Sequence, residues 1–195
     1  VAAGAEYRRE NYRITAGEPV SYQYGRANNL AIVIRDQTGA IAAAGIQGFP
    51  GYTPATEVDD GRHSAAVYLE TEHHWNRFLT AGTAVRHERY SDFGETTIGK
   101  VTLRLDPTRW LGLRTSASSG FRAPSVQQKF YSSVSTNLNS AGMLTETLTA
   151  REGSAVTRAF GIAPLKQETS RGASAGLVLR PSRNLSLTAD LYSIT

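Results

Sequence analysis

Between Ser91 and Gln128 the chain reads SDFGETTIGKVTLRLDPTRWLGLRTSASSGFRAPSVQQ, and the two-residue period of this stretch constrains the fold more than any other feature. Val101, Leu103 and Leu105 alternate with Lys100, Thr102 and Arg104. After a turn at Asp106 to Arg109, Leu111, Leu113, Thr115 and Ala117 alternate with Gly112, Arg114, Ser116 and Ser118. Successive side chains of a strand point to opposite faces, so the pattern predicts two strands, about Ile98–Leu105 and Trp110–Ser118, each apolar on one face and polar on the other. Function then turns on what lies against the apolar face.

The same design recurs at Val1–Thr15, Arg62–His74, Phe78–Tyr90, Thr169–Arg180 and from Leu185 onward, which predicts seven strands. Two long segments interrupt them, Ala16–Gly61 and Phe121–Leu165, rich in Gly, Pro, Asn, Ser and Thr. Within the first, apolar pieces at Leu30–Ile34 and Ala40–Ile46 flank Asp36-Gln37-Thr38-Gly39 and predict a hairpin. Within the second, Ser125–Tyr131 predicts a helical turn.

Connections at Trp75–Arg77, Asp106–Arg109 and Pro181–Asn184 are short, Ser91–Thr96 is intermediate, and the two interruptions are long. Short and longer links therefore alternate, and an up-and-down meander places the short ones at one end, as in outer-membrane barrels with tight periplasmic turns and large outer loops. Trp75, Trp110 and Phe78 fall at the tight-turn end and Tyr90, Phe93 and His87 at the other, which predicts two aromatic girdles. Folding about Phe93-Gly94 is expected to set Glu88 beside Lys100 and Arg86 beside Thr102. A charge facing lipid costs about 2–4 kcal/mol near the midplane, so the charged face is expected to look inward, to water.

Composition fits this reading. The 195 residues are 40% hydrophobic, with a mean hydropathy of -0.32. The longest apolar run, Leu30–Ile34, is far short of the roughly 20 residues of a membrane-spanning helix, whereas alternating strands are only half hydrophobic. There is no cysteine, hence no disulfide framework or thiolate metal site. The net charge of +4 comes from 21 basic residues scattered among 17 acidic ones, a pattern that argues against nucleic acid as a partner. Without a starting methionine or signal peptide, the chain reads as a mature or excised fragment. The competing fold is a soluble β-sandwich or β-solenoid. Against it, the apolar faces use Ala, Thr, Leu and Val, with aromatics held back to the strand ends rather than buried mid-strand.

GFRAPSVQQ, Gly120 to Gln128, resembles the GFRAPS signature of the barrel of TonB-dependent outer-membrane receptors. Three further stretches are similar to that family in the same order. They are GFPGYTPATEVDDGRHSAAVYLE (Gly48–Glu70), RHERYSDFGETTIGKVTLRL (Arg86–Leu105) and PLKQETSRGASAGLVLRP (Pro164–Pro181), the last with Gln167 where proline is commoner. The resemblance implies an all-β fold, an antiparallel up-and-down transmembrane barrel of which this chain supplies about seven of roughly 22 strands. It implies one barrel fragment over 1–195, long outer loops at about 16–61 and 121–165, and a plug domain absent from the chain. It further implies the outer membrane of a Gram-negative bacterium, and import of a scarce solute with energy supplied by TonB. The cargo would be a ferric siderophore first, or cobalamin or an oligosaccharide. The partners would be outer-membrane lipid, the remaining barrel strands, the plug and, through it, the TonB complex. A small porin-like or adhesive barrel and a soluble β-sandwich binding module stand as the alternatives.

No nucleophile–base arrangement, resident cofactor or metal set emerges. Adjacent His73 and His74 point to opposite faces of a strand, and Asp59-Asp60 near His63 has no activated nucleophile beside it. Candidate ligand contacts are loop aromatics and cations able to stack on and pair with an anionic chelate or a sugar: Tyr22, Tyr24, Arg26, Phe49, Tyr52, Arg122, Lys129 and Tyr131. Within GFRAPS, Arg122 is also expected to anchor the loop against the barrel wall.

Overall fold

The structure is a computed structural model that describes residues 1–23, 34, 35, 37, 39, 42, 44–46 and 50–195. Of the hairpin expected in the first long segment, Leu30 to Val33 and several residues of Ala40–Ile46 lie outside the described residues, as do Tyr24, Arg26 and Phe49. Where described, that segment does double back, since the Ala42 amide donates to the Ile34 carbonyl at 2.8 Å.

In chain order the elements are β1 (Ala2–Ile14), β2 (Val58–His74), β3 (Leu79–Tyr90), β4 (Gly94–Leu105), β5 (Leu111–Arg122), helix α1 (Val126–Phe130), β6 (Ser133–Leu138), β7 (Leu144–Thr149), helix α2 (Ala155–Ala159), β8 (Glu168–Ser182) and β9 (Leu185–Ile194). Seven strands form one sheet in the order β1-β2-β3-β4-β5-β8-β9, and β6 and β7 pair separately. Every recorded pairing is antiparallel. All seven strands expected from the two-residue period are thus the strands of the main sheet.

Register carries that period from strand to strand. One row across the sheet reads Thr71, Thr83, Val101, Ala117, Ala173, and another reads Leu79, Leu105, Leu113, Leu177, Ala189. The neighbouring row on the opposite face reads Thr80, Arg104, Arg114, Gly176, Asp190. A slip of one residue would mix these faces. Among the described residues the apolar face has no second layer. Val67, Leu69, Val85 and Val101 are 46–56% exposed, and no large side chain among the described residues is fully buried. A sandwich core would bury such residues, whereas the described residues leave them exposed.

Two details differ from the sequence expectations. The β3–β4 connection is only Ser91–Phe93, shorter than the link Trp75–Phe78, so the contrast in loop length rests on the two long segments. The tighter turn also moves the register by four residues. Glu88 pairs with Thr96, and Arg86 with Ile98, instead of with Lys100 and Thr102. The shift is even, so the faces stay as assigned. Gly94 absorbs the turn at φ 108°, where an L side chain would be strained.

The described chain divides into two compact units. One holds Val1–Arg9, Arg62–Pro124 and Lys166–Thr195, and therefore most of the sheet; the other holds Glu10–Gly61 and Ser125–Leu165. The second long segment is more ordered than its composition foretold. It carries α1, where the Ser125 hydroxyl accepts from the Gln128 amide at 3.0 Å and the Gln128 side chain returns the bond to the Ser125 amide at 2.8 Å. It also carries the β6–β7 hairpin, which sequence reading missed.

Candidate functional site

The polar face of the sheet is a network of paired charges. Arg86 bonds Glu88 on its own strand and reaches Glu6 of β1 at 2.9 Å, while the Tyr90 hydroxyl donates to Glu88 at 2.6 Å. Further along, Arg114 of β5 reaches across β8 to Asp190 of β9 at 3.0 Å. Gly176 makes this possible, because it pairs with both residues in one row and a side chain there would collide with Arg114 and Asp190. Arg104 folds back on Asp106 in the adjoining turn at 2.7 Å, and this bond holds the Asp106 carboxyl below its ordinary value. Such pairing keeps the guanidinium and carboxylate groups of this face satisfied.

Tyr90 corrects one expectation. Its bond to Glu88 places it on the polar face, with Phe93 stacked on it at 4.4 Å and Phe121 edge-on at 6.0 Å, so it does not belong to an aromatic girdle on the apolar face. The cause is strand parity, since Tyr90 follows Arg86 and Glu88 by even steps.

This aromatic group seats the GFRAPS stretch, and the arginine responsible is not the expected one. Arg62, 8% exposed, donates to the Pro124 carbonyl and lies over the Tyr90 ring at 5.4 Å. Arg122 only approaches Glu168 at 3.8 Å, with both side chains about 70% exposed, a geometry that contributes little. Arg62 and Pro124 are 62 residues apart, and no local pattern links them.

In the second unit, two candidate ligand residues meet. Tyr52 and Tyr131 stand edge to face with centroids 6.4 Å apart. Burial raises the Tyr52 phenol above its ordinary value near 10, and the adjoining Tyr131 hydroxyl adds to the shift. The Glu146 carboxylate of β7 accepts from the Ala44 amide at 3.1 Å, which ties the two long segments together within this unit. Lys129, in the last turn of α1, sets its ammonium 5.8 Å from the Phe130 ring. Tyr22 ends the short 3-10 turn Pro19–Ser21, its amide bonded to the Pro19 carbonyl at 3.2 Å. Tyr24, Arg26 and Phe49 lie outside the described residues.

The groups considered for metal binding or acid–base chemistry have structural partners. Asp59 accepts from Asn11 at 3.1 Å and lies 3.6 Å from Arg13, and Asp60 accepts from the Gly61 amide at 2.7 Å. His74 bonds the Thr80 hydroxyl at 2.8 Å, while His73 packs edge-on against Trp75 at 4.9 Å. Among the described residues no three His, Asp or Glu side chains gather as a metal site.

The chain matches the family model described as TonB dependent receptor-like, beta-barrel, over residues 2–195. Among solved structures it is similar to the siderophore receptor PirA from Acinetobacter baumannii, with a TM-score of 0.61 at 15% identity. The match covers 98% of this chain and 23% of that one, so the chain spans about a quarter of that receptor's length. At that identity the likeness establishes the fold alone. No curated protein matches the chain in sequence. With seven antiparallel strands in the order of a meander, an uncovered apolar face, an ion-paired polar face and a family match over nearly its whole length, the chain belongs to the TonB-dependent receptor β-barrel family.

Proposed function

We propose that the chain forms part of the wall of an outer-membrane receptor that binds a scarce solute and imports it with energy delivered by the TonB complex. The observation that carries this reading is the two-sided sheet. One face is apolar and uncovered among the described residues, the other holds the pairs Arg86–Glu88, Arg104–Asp106 and Arg114–Asp190, which is the division that lipid outside and water inside require. In this reading the remaining strands and a plug domain belong to the same receptor, and the segments 16–61 and 121–165 are its outer loops. The cargo is a ferric siderophore, ahead of cobalamin and oligosaccharides.

Ligand capture falls to the loop aromatics and cations. Tyr52 and Tyr131 form the nucleus, with Tyr22, Tyr24, Arg26, Phe49, Lys129 and Arg122 as further contacts. A half-buried pair of phenols offers rings for stacking and hydroxyls for hydrogen bonds while losing little side-chain entropy on binding.

The test is uptake by cells carrying or lacking the complete receptor under iron limitation. Radiolabelled ferric chelates are expected to enter only with the receptor, and entry is expected to stop when TonB is removed. Uptake independent of TonB overturns the energised-transport reading. In the purified receptor, Tyr52→Ala together with Tyr131→Ala is expected to weaken ligand binding at least tenfold, and unchanged affinity removes the proposed site.

A further inference from the structure

The middle of the polar face holds two charges without partners. Glu70 of β2, Ala84 of β3 and Lys100 of β4 stand in one row, with Ser118 of β5 next in register. Around this row Arg86 is bonded to Glu88 and Glu6, Arg104 to Asp106, and Arg114 to Asp190. Glu70 and Lys100 are exposed, and among the described residues neither side chain has a hydrogen bond or an ion pair.

The same three-strand relation has the opposite outcome elsewhere in the sheet. Arg114 and Asp190 also stand two strands apart, and they join because Gly176 between them leaves the backbone bare, where a Cβ would collide with both. Over Ala84 a methyl group fills that path, and the carboxylate and the ammonium stay apart.

Between them opens a hollow of about 400 Å³, lined by Tyr68, Glu70, Ala84, Arg86, Lys100 and Ser118. The two large side chains that could fill it lean away. Tyr68 lies over Gly4 of β1, its ring against the place that a side chain at residue 4 would take. Arg86 is drawn across β2 to Glu6 at 2.9 Å and passes the Tyr68 ring at 6.0 Å. Gly4 and Glu6 of β1 thereby keep Tyr68 and Arg86 off the space above Ala84.

The spacing selects a ligand. Neighbouring strands lie about 4.8 Å apart, so side chains standing up from β2 and β4 present their charges roughly 10 Å from one another. A charge-assisted contact of about 2.8 Å at each end leaves roughly 4 Å between the ligand's own ammonium and carboxylate. That is the span of a free amino acid, whose two charges have the signs that the two ends require. A simple anion or cation meets one partner and is repelled by the other.

We infer that Glu70 and Lys100 form a binding site for a zwitterionic amino-acid group, Glu70 taking the ammonium and Lys100 the carboxylate. The inference rests on the barrel reading given above, in which this face lines the water-filled interior, and it narrows the cargo to a solute that carries a free amino-acid end.

The test is saturation-transfer NMR on the complete receptor in detergent. The probes are L-alanine, N-acetyl-L-alanine, which keeps only the carboxylate, and L-alanine amide, which keeps only the ammonium. Wild type is expected to bind L-alanine at least tenfold more tightly than either, a comparison that needs no variant. Glu70→Gln is expected to weaken L-alanine binding about fivefold and to leave N-acetyl-L-alanine unchanged, and Lys100→Gln to weaken L-alanine equally and to leave the amide unchanged. Exchanging the charges, Glu70→Lys with Lys100→Glu, is expected to restore L-alanine binding, because the zwitterion can reverse. Glu72→Gln, on the same face of β2, is expected to change nothing. Equal affinity for the three probes, or L-alanine binding unmoved by either substitution, in a receptor that inserts in membranes overturns the zwitterion site and leaves the barrel reading. Failure of the wild-type receptor to insert overturns the barrel reading, and the site with it.

Discussion

Arg62 shows how much one side chain can hold at the edge of this sheet. Its buried guanidinium satisfies the Pro124 carbonyl and covers the Tyr90 ring, so Arg62→Ala removes a charge-assisted hydrogen bond and a cation–π contact and leaves a carbonyl without its donor. The expected loss is about 2–4 kcal/mol in urea unfolding of the complete receptor. Arg122→Ala, which gives up only an exposed ion pair, is expected to cost less than about 1 kcal/mol. A larger effect at Arg122 than at Arg62 contradicts this assignment. Tyr52 makes the second prediction at this scale. Its phenol is raised above 10 by burial and by Tyr131, so folding favours the neutral form. The stability it contributes is present below pH 10 and is lost as pH rises through the higher folded value. Ultraviolet titration of wild type minus Tyr52→Phe is expected to show one tyrosine with a midpoint above 10, and a midpoint at or below 10 refutes the burial.

At the scale of the strand, faces decide what a substitution does. Leu69 is six residues from Trp75, close to mid-height, on the apolar face and 46% exposed. Leu69→Arg is therefore expected to cost about 2–4 kcal/mol, while Glu70→Arg, one residue on and facing the other way, is expected to cost less than about 1 kcal/mol. Urea midpoints of the two folded receptors measure the difference, and equal costs contradict the assignment of faces. Gly176 belongs to the same logic. Gly176→Val is expected to break the Arg114–Asp190 bridge, because its methyl groups must occupy the path of the guanidinium. The faces were legible from period two alone, since parity survives any even change of register. The register itself was not, because it depends on whether the β3–β4 turn closes at Ser91–Phe93 or two residues later, and Gly94 in its left-handed conformation decides that.

For the whole molecule, the sheet ends in β1 and β9, whose outer edges carry backbone groups unpaired within the sheet. Hydrocarbon does not tolerate such edges, so the 195-residue chain alone is expected to aggregate or to remain unfolded in detergent micelles. Expressed with the rest of its barrel, it is expected to give a heat-modifiable band on gel electrophoresis. A monodisperse, heat-modifiable species from the isolated chain refutes this. The sequence by itself determined the seven strands, their two faces and, through GFRAPS and its companion motifs, the family, because alternation and turn chemistry are local and survive without tertiary context. Only the tertiary structure decided that the described residues lay no second layer on the apolar face, that Arg62 rather than Arg122 seats the GFRAPS stretch, that Tyr90 turns to the polar side, and that Tyr52 meets Tyr131. Each of these joins residues well separated along the chain or depends on what is missing from a surface, and neither leaves a periodic trace in the order of amino acids.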